Sequence, residues 1–169
     1  MSRNRPGTQG GPSAARRDRL LAQREHDTYG LKGKLPDPTA CPDCGASYQA
    51  GRWSWQPVSD DARQTRCPAC RRLADDYPAG LVRIEGAFWR AHREEVEGLA
   101  RNLEEREKGG HPLKRIMRMA ESEDGSLEIT TTDAHLARGI GVALHDAYEG
   151  ELEDRFTDGE NLFRVRWTR

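Results

Sequence analysis

The chain has 169 residues, with 27 Lys and Arg against 28 Asp and Glu, a net charge of −1 and a mean hydropathy of −0.91. Leu, Ile, Val and Phe number 26, about 15% of the chain and below the roughly 20% that signals disorder when net charge is high. With net charge near zero, the composition implies a small core beside disordered or metal-stapled parts. No apolar run approaches the roughly 20 residues of a membrane span. The N-terminus is rich in Arg, Gly and Pro without the apolar stretch of a secretory signal. The expectation is a cytoplasmic protein whose four cysteines are thiols or thiolates.

The even charge hides two unlike halves. Residues 1–74 carry 13 cations and 7 acids, and residues 75–169 carry 14 and 21. A basic front and an acidic back point to different partners, with nucleic acid the natural one for the front.

In chain order, residues 1–12 hold three glycines and two prolines and cannot bury enough apolar area to offset the entropy of ordering them, so a disordered tail is expected. Residues 13–38 read as a basic helix over 14–25, with Arg16, Arg17, Arg19 and Arg24, and a loop with Tyr29, Lys32 and Lys34. With only Leu20 and Leu21 as large apolar residues, such a short helix forms on docking rather than alone. Residues 39–76 contain the cysteines. From 79 to 169 the texture becomes α+β. A strand at 81–84 precedes a long helix over 87–108 with an apolar stripe of Phe88, His92, Val96, Leu99 and Leu103, closed by Gly109 and Gly110. A strand at 113–119, a turn at Asp124-Gly125 and a strand at 127–131 form a hairpin. Asp133 caps a helix over 134–148, in which Gly139 and Gly141 permit close packing on a sheet. A hairpin of 151–156 and 162–167 ends the chain. This βαββαβ order with one extra strand predicts a ferredoxin-like (split βαβ) antiparallel sheet with both helices on one face.

The sharpest motif is Cys41-Pro-Asp-Cys44-Gly45 and then Cys67-Pro-Ala-Cys70, with 22 residues between Cys44 and Cys67. Two residues between cysteines let both sulfurs of a pair reach one ion, and two such knuckles supply four thiolates in a tetrahedron. The prediction is a zinc ribbon holding one structural Zn2+, with strands in 47–55 and 62–66. Paired knuckles also hold iron in rubredoxins, making an electron carrier the competing reading, but Arg71 stands where a rubredoxin has Gly. A closed set of four thiolates leaves no coordination position for hydrolysis. Around it, Arg52, Arg63, Arg66, Arg71 and Arg72 suit RNA phosphates. Trp53 and Trp55 suit base stacking, although the module's own core or its packing on the second domain is the better reading for the tryptophans alone.

No phosphate-binding glycine loop, dinucleotide fingerprint or paired-histidine metalloprotease string is present. His92, on the helix stripe, reads as a core histidine. No nucleophile–base–orienter set assembles, so neither an enzyme nor a small-molecule substrate is expected.

A basic helix, Tyr29-Gly-Leu-Lys, a CPxCG knuckle, a CPxC knuckle and then strand, long helix, glycine break, hairpin and helix from Asp133 together resemble the large-ribosomal-subunit export adaptor of archaea and eukaryotes, the nonsense-mediated decay three family. The pattern is also similar to a group of short bacterial proteins. The resemblance spans roughly residues 38–169 and implies binding to the joining face of the large subunit without catalysis, with the family metal positions falling on Cys41, Cys44, Cys67 and Cys70. The family members carry more knuckles and further domains than this chain. The functional expectation is a non-enzymatic zinc factor that binds the ribosome or rRNA, in assembly, protection or stress-linked silencing, with the acidic domain available to a basic ribosomal protein. The alternative is a protein–protein adaptor working through the acidic domain.

Overall fold

The computed structural model describes residue 29, residues 33–157 and residues 159–169. The expectations for 1–12 and 14–25, and the cations Arg16, Arg17, Arg19, Arg24 and Lys32, lie outside the described residues.

The cysteine-bearing part is a small sheet followed by a helix: β1 (Thr39–Ala40), β2 (Ser47–Gln49), β3 (Arg52–Ser54), β4 (Arg63–Gln64) and α1 (Pro68–Asp75). Its strand order is β3-β2-β1-β4, with β4 parallel to β1 and the other pairs antiparallel. The tight β2–β3 turn places both Ala50 and Gly51 at positive φ, the requirement of a two-residue hairpin loop. The second knuckle opens a helix, an element that the ribbon expectation did not include. Cys67 is the N-cap of α1 and Pro68 follows it, where a missing N–H costs nothing and a fixed φ favours the first turn.

The second part runs β5 (Gly80–Glu85), α2 (Ala87–Ala91), α3 (Arg93–Gly110), β6 (Ile116–Glu121), β7 (Leu127–Thr131), α4 (Ala134–Tyr148), β8 (Glu151–Thr157) and β9 (Leu162–Thr168). The expected single long helix is broken at His92, whose backbone leaves the helical region. Its ring is not a core group. It stacks on Phe88 at 4.2 Å and meets the Glu95 carboxylate at 3.1 Å. Gly109 and Gly110 do not end α3, which runs through both. Asp133 caps α4 as expected, its carboxylate accepting the Leu136 N–H.

The sheet order is β6-β7-β5-β9-β8, and β5 and β9 are parallel, so the sheet is mixed rather than antiparallel. The additional strand is inserted beside β5 instead of being appended outside. The reason lies in composition. β9 buries Phe163, Val165 and Trp167, whereas β8 exposes Glu151, Glu153, Asp154 and Arg155. A strand so charged is tolerated at an edge, where charge also blunts edge-to-edge pairing, while the apolar one goes inside.

One face of this sheet carries Val82, Ile84, Leu127, Ile129, Val165 and Trp167, which join Val96, Ala100 and Leu103 of α3 and Leu136, Ile140 and Leu144 of α4 in a single core. α4 approaches closely because a Cβ on Gly141 would stand 2.5 Å from Val165 Cγ1. The opposite face is a layer of charge, with Arg83 bonded to Glu85, Asp124 and Glu128 and Arg166 bonded to Glu85.

Candidate metal centre

The four cysteines converge. Their sulfurs all lie within 4.8 Å of one another, and Cys44 Sγ and Cys67 Sγ are 3.8 Å apart. A tetrahedron with metal–sulfur bonds of about 2.3 Å has edges of about 3.8 Å, so the set has the dimensions of a four-thiolate site. The cysteines are free of disulfides, with Cys41, Cys67 and Cys70 buried. These residues can hold a metal ion.

Local backbone builds the site. In the first knuckle the Gly45 N–H donates to the Cys41 carbonyl at 3.0 Å, and Gly45 leaves the turn at φ 77. The Cys41 N–H then pairs with the Ala46 carbonyl, fixing the knuckle to the start of β2. In the second, the Cys70 N–H donates to Cys67 Sγ at 3.4 Å, and the Cys67 N–H donates to Cys41 Sγ at 3.2 Å. Backbone N–H groups aimed at sulfur, and the positive end of α1, favour thiolate. Burial works against the charge on Cys41, yet the N–H groups of Cys67, Cys44 and Asp43 outweigh it and bring that thiol down to about 7. Burial pushes the Cys67 and Cys70 thiols up instead. Packed sulfurs cannot all be charged without a cation among them, and a divalent ion supplies that charge.

One group on the sheet domain completes the surroundings, and it was not among the predicted site residues. Arg115, between α3 and β6, donates from Nη1 to Cys70 Sγ at 3.4 Å and from Nη2 to Cys67 Sγ at 3.9 Å, while its Nε donates to the Pro112 carbonyl. Its guanidinium also lies 5.9 Å from the centre of the Trp55 ring. Burial disfavours its charge, but the sulfur contacts overcome this and hold it firmly protonated. In the sequence Arg115 is one of two adjacent cations, Lys114 and Arg115, between Leu113 and Ile116, and nothing there sets it apart. Groups that bond to ligating sulfurs orient them, and losing one costs about 10–100-fold in metal affinity. Arg115→Leu is therefore expected to weaken binding by that factor in competition with a chromophoric chelator. Unchanged affinity would mean that Arg115 only docks the two parts.

The predicted RNA-facing residues divide. Lys34, Arg52 and Arg63 are exposed, with no ion pair among the described residues, and half-buried Arg71 likewise has none. Arg52 and Arg63 stand on opposite edges of the small sheet, so they form no single cluster. Arg66 is exposed but pairs with Asp43 at 2.5 Å. Arg72 departs from the expectation. It is 5% exposed, donates to the Tyr77 carbonyl and lies 4.5 Å from the centre of the Tyr29 ring, whose hydroxyl donates to Asp75. That guanidinium ties the incoming chain to α1. The tryptophans take the packing role. Trp53 sits against Tyr48 and the cysteine cluster, and the Trp55 ring N–H donates to the Lys108 carbonyl at 2.6 Å, joining the metal module to the end of α3.

Among the described residues no helix is long and apolar enough to cross a membrane. Compared with protein families, curated proteins and solved structures, the chain finds no match in any of the three.

Proposed function

We propose that this chain is a non-catalytic, zinc-stapled factor that binds RNA, with the large ribosomal subunit or its rRNA as the partner. The observation that carries the proposal is a contrast in ion pairing. Lys34 before the metal module and Arg52 and Arg63 on it are exposed and lack carboxylate partners among the described residues, whereas most arginines of the sheet domain that face its surface, Arg83, Arg93, Arg138, Arg164 and Arg166, are bonded to acids, Arg118 and Arg155 being exceptions. Unneutralised cations on a module held rigid by metal are what a phosphate backbone requires. A closed four-thiolate set gives the ion a structural task, and zinc is the ion that most often takes it. The α+β domain, ferredoxin-like in its βαββα beginning, supports the module through Trp55 and Arg115 and leaves its acidic surface for a basic ribosomal protein. Assembly, protection and stress-linked silencing are the roles open to such a factor, acting in the cytoplasm.

Sedimentation of the full chain in cell lysate, at low and moderate salt, tests this reading. The expected result is co-migration with ribosomal particles that fades as salt rises, and that weakens at all salts in an Arg52→Gln/Arg63→Gln variant. Protein that stays at the top of the gradient in every condition would overturn the ribosomal reading in favour of the adaptor. Metal analysis decides the ion, since an iron tetrathiolate is red and zinc is colourless.

A further inference from the structure

Two pairs of arginines stand directly opposite each other on the uncovered face of the large sheet. The β5–β9 register sets Arg83 against Arg166, and the β8–β9 register sets Arg164 against Arg155. Side chains so placed have Cβ atoms about 5 Å apart, and like charges there are destabilising. The first pair is resolved within the fold. Glu85 lies between its members, accepting from Arg83 Nε at 2.6 Å and from Arg166 Nε at 2.8 Å, and Glu128 and Asp124 add further acceptors to Arg83.

The second pair has no such bridge. Arg164 reaches Glu160 in the β8–β9 loop at 2.5 Å, and Arg155 is exposed with no ion pair or hydrogen bond to its side chain among the described residues. Between them the sheet surface dips into a concavity of about 240 Å³ over Leu81, walled by Arg83, Arg155, Arg164 and Arg166, with Glu153 as its one acid outside the edge residue Asp154, whose carboxylate is engaged by Arg138. The row of side chains crossing the sheet here reads Arg118, Thr130, Leu81, Arg164, Arg155, with three cations and no acid. Arg118, like Arg155, has no ion pair among the described residues. Four inter-strand spacings make the row about 19 Å long, enough for a strand to present more than one phosphate.

We propose that this row is a second contact for RNA, in which a backbone phosphate lies between Arg155 and Arg164 as the Glu85 carboxylate lies between Arg83 and Arg166. Guanidinium forks match phosphate oxygens, and three of them in one row across a sheet with no acid in it suit a polyanion rather than a single small anion. The identity of that polyanion rests on the RNA-binding reading above; the site itself rests on the strand register.

The test is binding of the full chain to a single-stranded RNA of about twelve nucleotides, a usual footprint for such proteins, followed by fluorescence anisotropy over a range of salt. Each lost phosphate contact lowers the slope of log K against log salt by about 0.7, so Arg155→Gln/Arg164→Gln, which removes the pair around one phosphate, should lose about 0.7 in slope and roughly fourfold in affinity at 0.15 M salt. Both positions are on the solvent side of the sheet, and circular dichroism checks that the fold is kept. Should Arg52→Gln/Arg63→Gln weaken binding while the sheet variant binds like the parent, the sheet site is overturned and the metal-module reading stands. A parent chain that binds no RNA overturns both. A titration with inorganic phosphate read on the arginine Nε–H NMR signals separates the remaining case: phosphate saturating Arg155 and Arg164, with RNA affinity indifferent to their loss, overturns RNA as the occupant.

Discussion

Cys67→Ser is expected to abolish metal binding, from one ion per chain to none, and to melt residues 39–76 while the sheet domain stays folded. Cys67 is fully buried and has three tasks at once: its sulfur is a ligand candidate, it caps α1, and its N–H donates to Cys41 Sγ. Serine retains the capping task, since a hydroxyl is a good N-cap. It fails as a ligand, because a hydroxyl neither ionises near neutrality nor reaches as far as sulfur. The consequence is large. Structural zinc supplies apparent binding free energy of about 10–16 kcal/mol at pH 7, comparable with the whole stability of a domain, about 5–15 kcal/mol. The module has little else, because the buried cluster at its centre is the cysteines with Ala46 and Ala69, flanked by Trp53 and Leu113. Metal content by mass spectrometry and amide protection by NMR report the two effects separately. A variant that keeps a full equivalent of metal would show that the four sulfurs are not the ligand set.

The cysteine set was legible in the sequence because ligand chemistry is local: two sulfurs per turn, with proline and glycine shaping the turn. The shape of the second knuckle was not, although Pro68 and the helix-forming Cys70-Arg71-Arg72-Leu73-Ala74 were in view. The ribbon expectation assigned strands in 47–55 and 62–66 and no element after them, where Pro after an N-cap starts a helix. In the large sheet, alternation located the strands, and β7 and α4 lie at the predicted residues, whereas the strand expected at 113–119 is Ile116–Glu121. The neighbour order did not follow, since alternation fixes which face a residue takes and leaves open which strand lies beside which. The decisive contrast was between β8 and β9, one charged and one apolar on its inner positions, and it was present in Glu151–Arg155 against Phe163, Val165 and Trp167. The role of Arg115 is not legible in the sequence because it arises only when α3 folds back and brings residue 115 against residues 67 and 70, a contact between distant parts of the chain.

The four tryptophans are alike in sequence and should differ sharply in what their loss costs. Trp167→Ala is expected to destabilise the sheet domain by about 3–5 kcal/mol, the range for removing a buried aromatic. Its side chain has no exposed surface, meets Phe88 edge-on at 6.0 Å and donates its ring N–H to the Glu149 carbonyl at 2.8 Å. It therefore joins β9, α2 and the end of α4, three elements distant in sequence, and no neighbour can refill the volume without moving one of them. Urea denaturation followed by circular dichroism should show the midpoint lowered by on the order of 2 M at an unchanged slope. Trp55→Ala offers the contrast. That ring is 38% exposed and attached by one hydrogen bond to Lys108, so its loss should leave the sheet domain's midpoint nearly unchanged and act on the attachment of the metal module. Equal costs for the two substitutions would mean that the metal module and the sheet domain unfold as one unit. The independent melting expected for Cys67→Ser would then fail with it, so these two experiments together decide whether the metal stabilises a module or the whole chain.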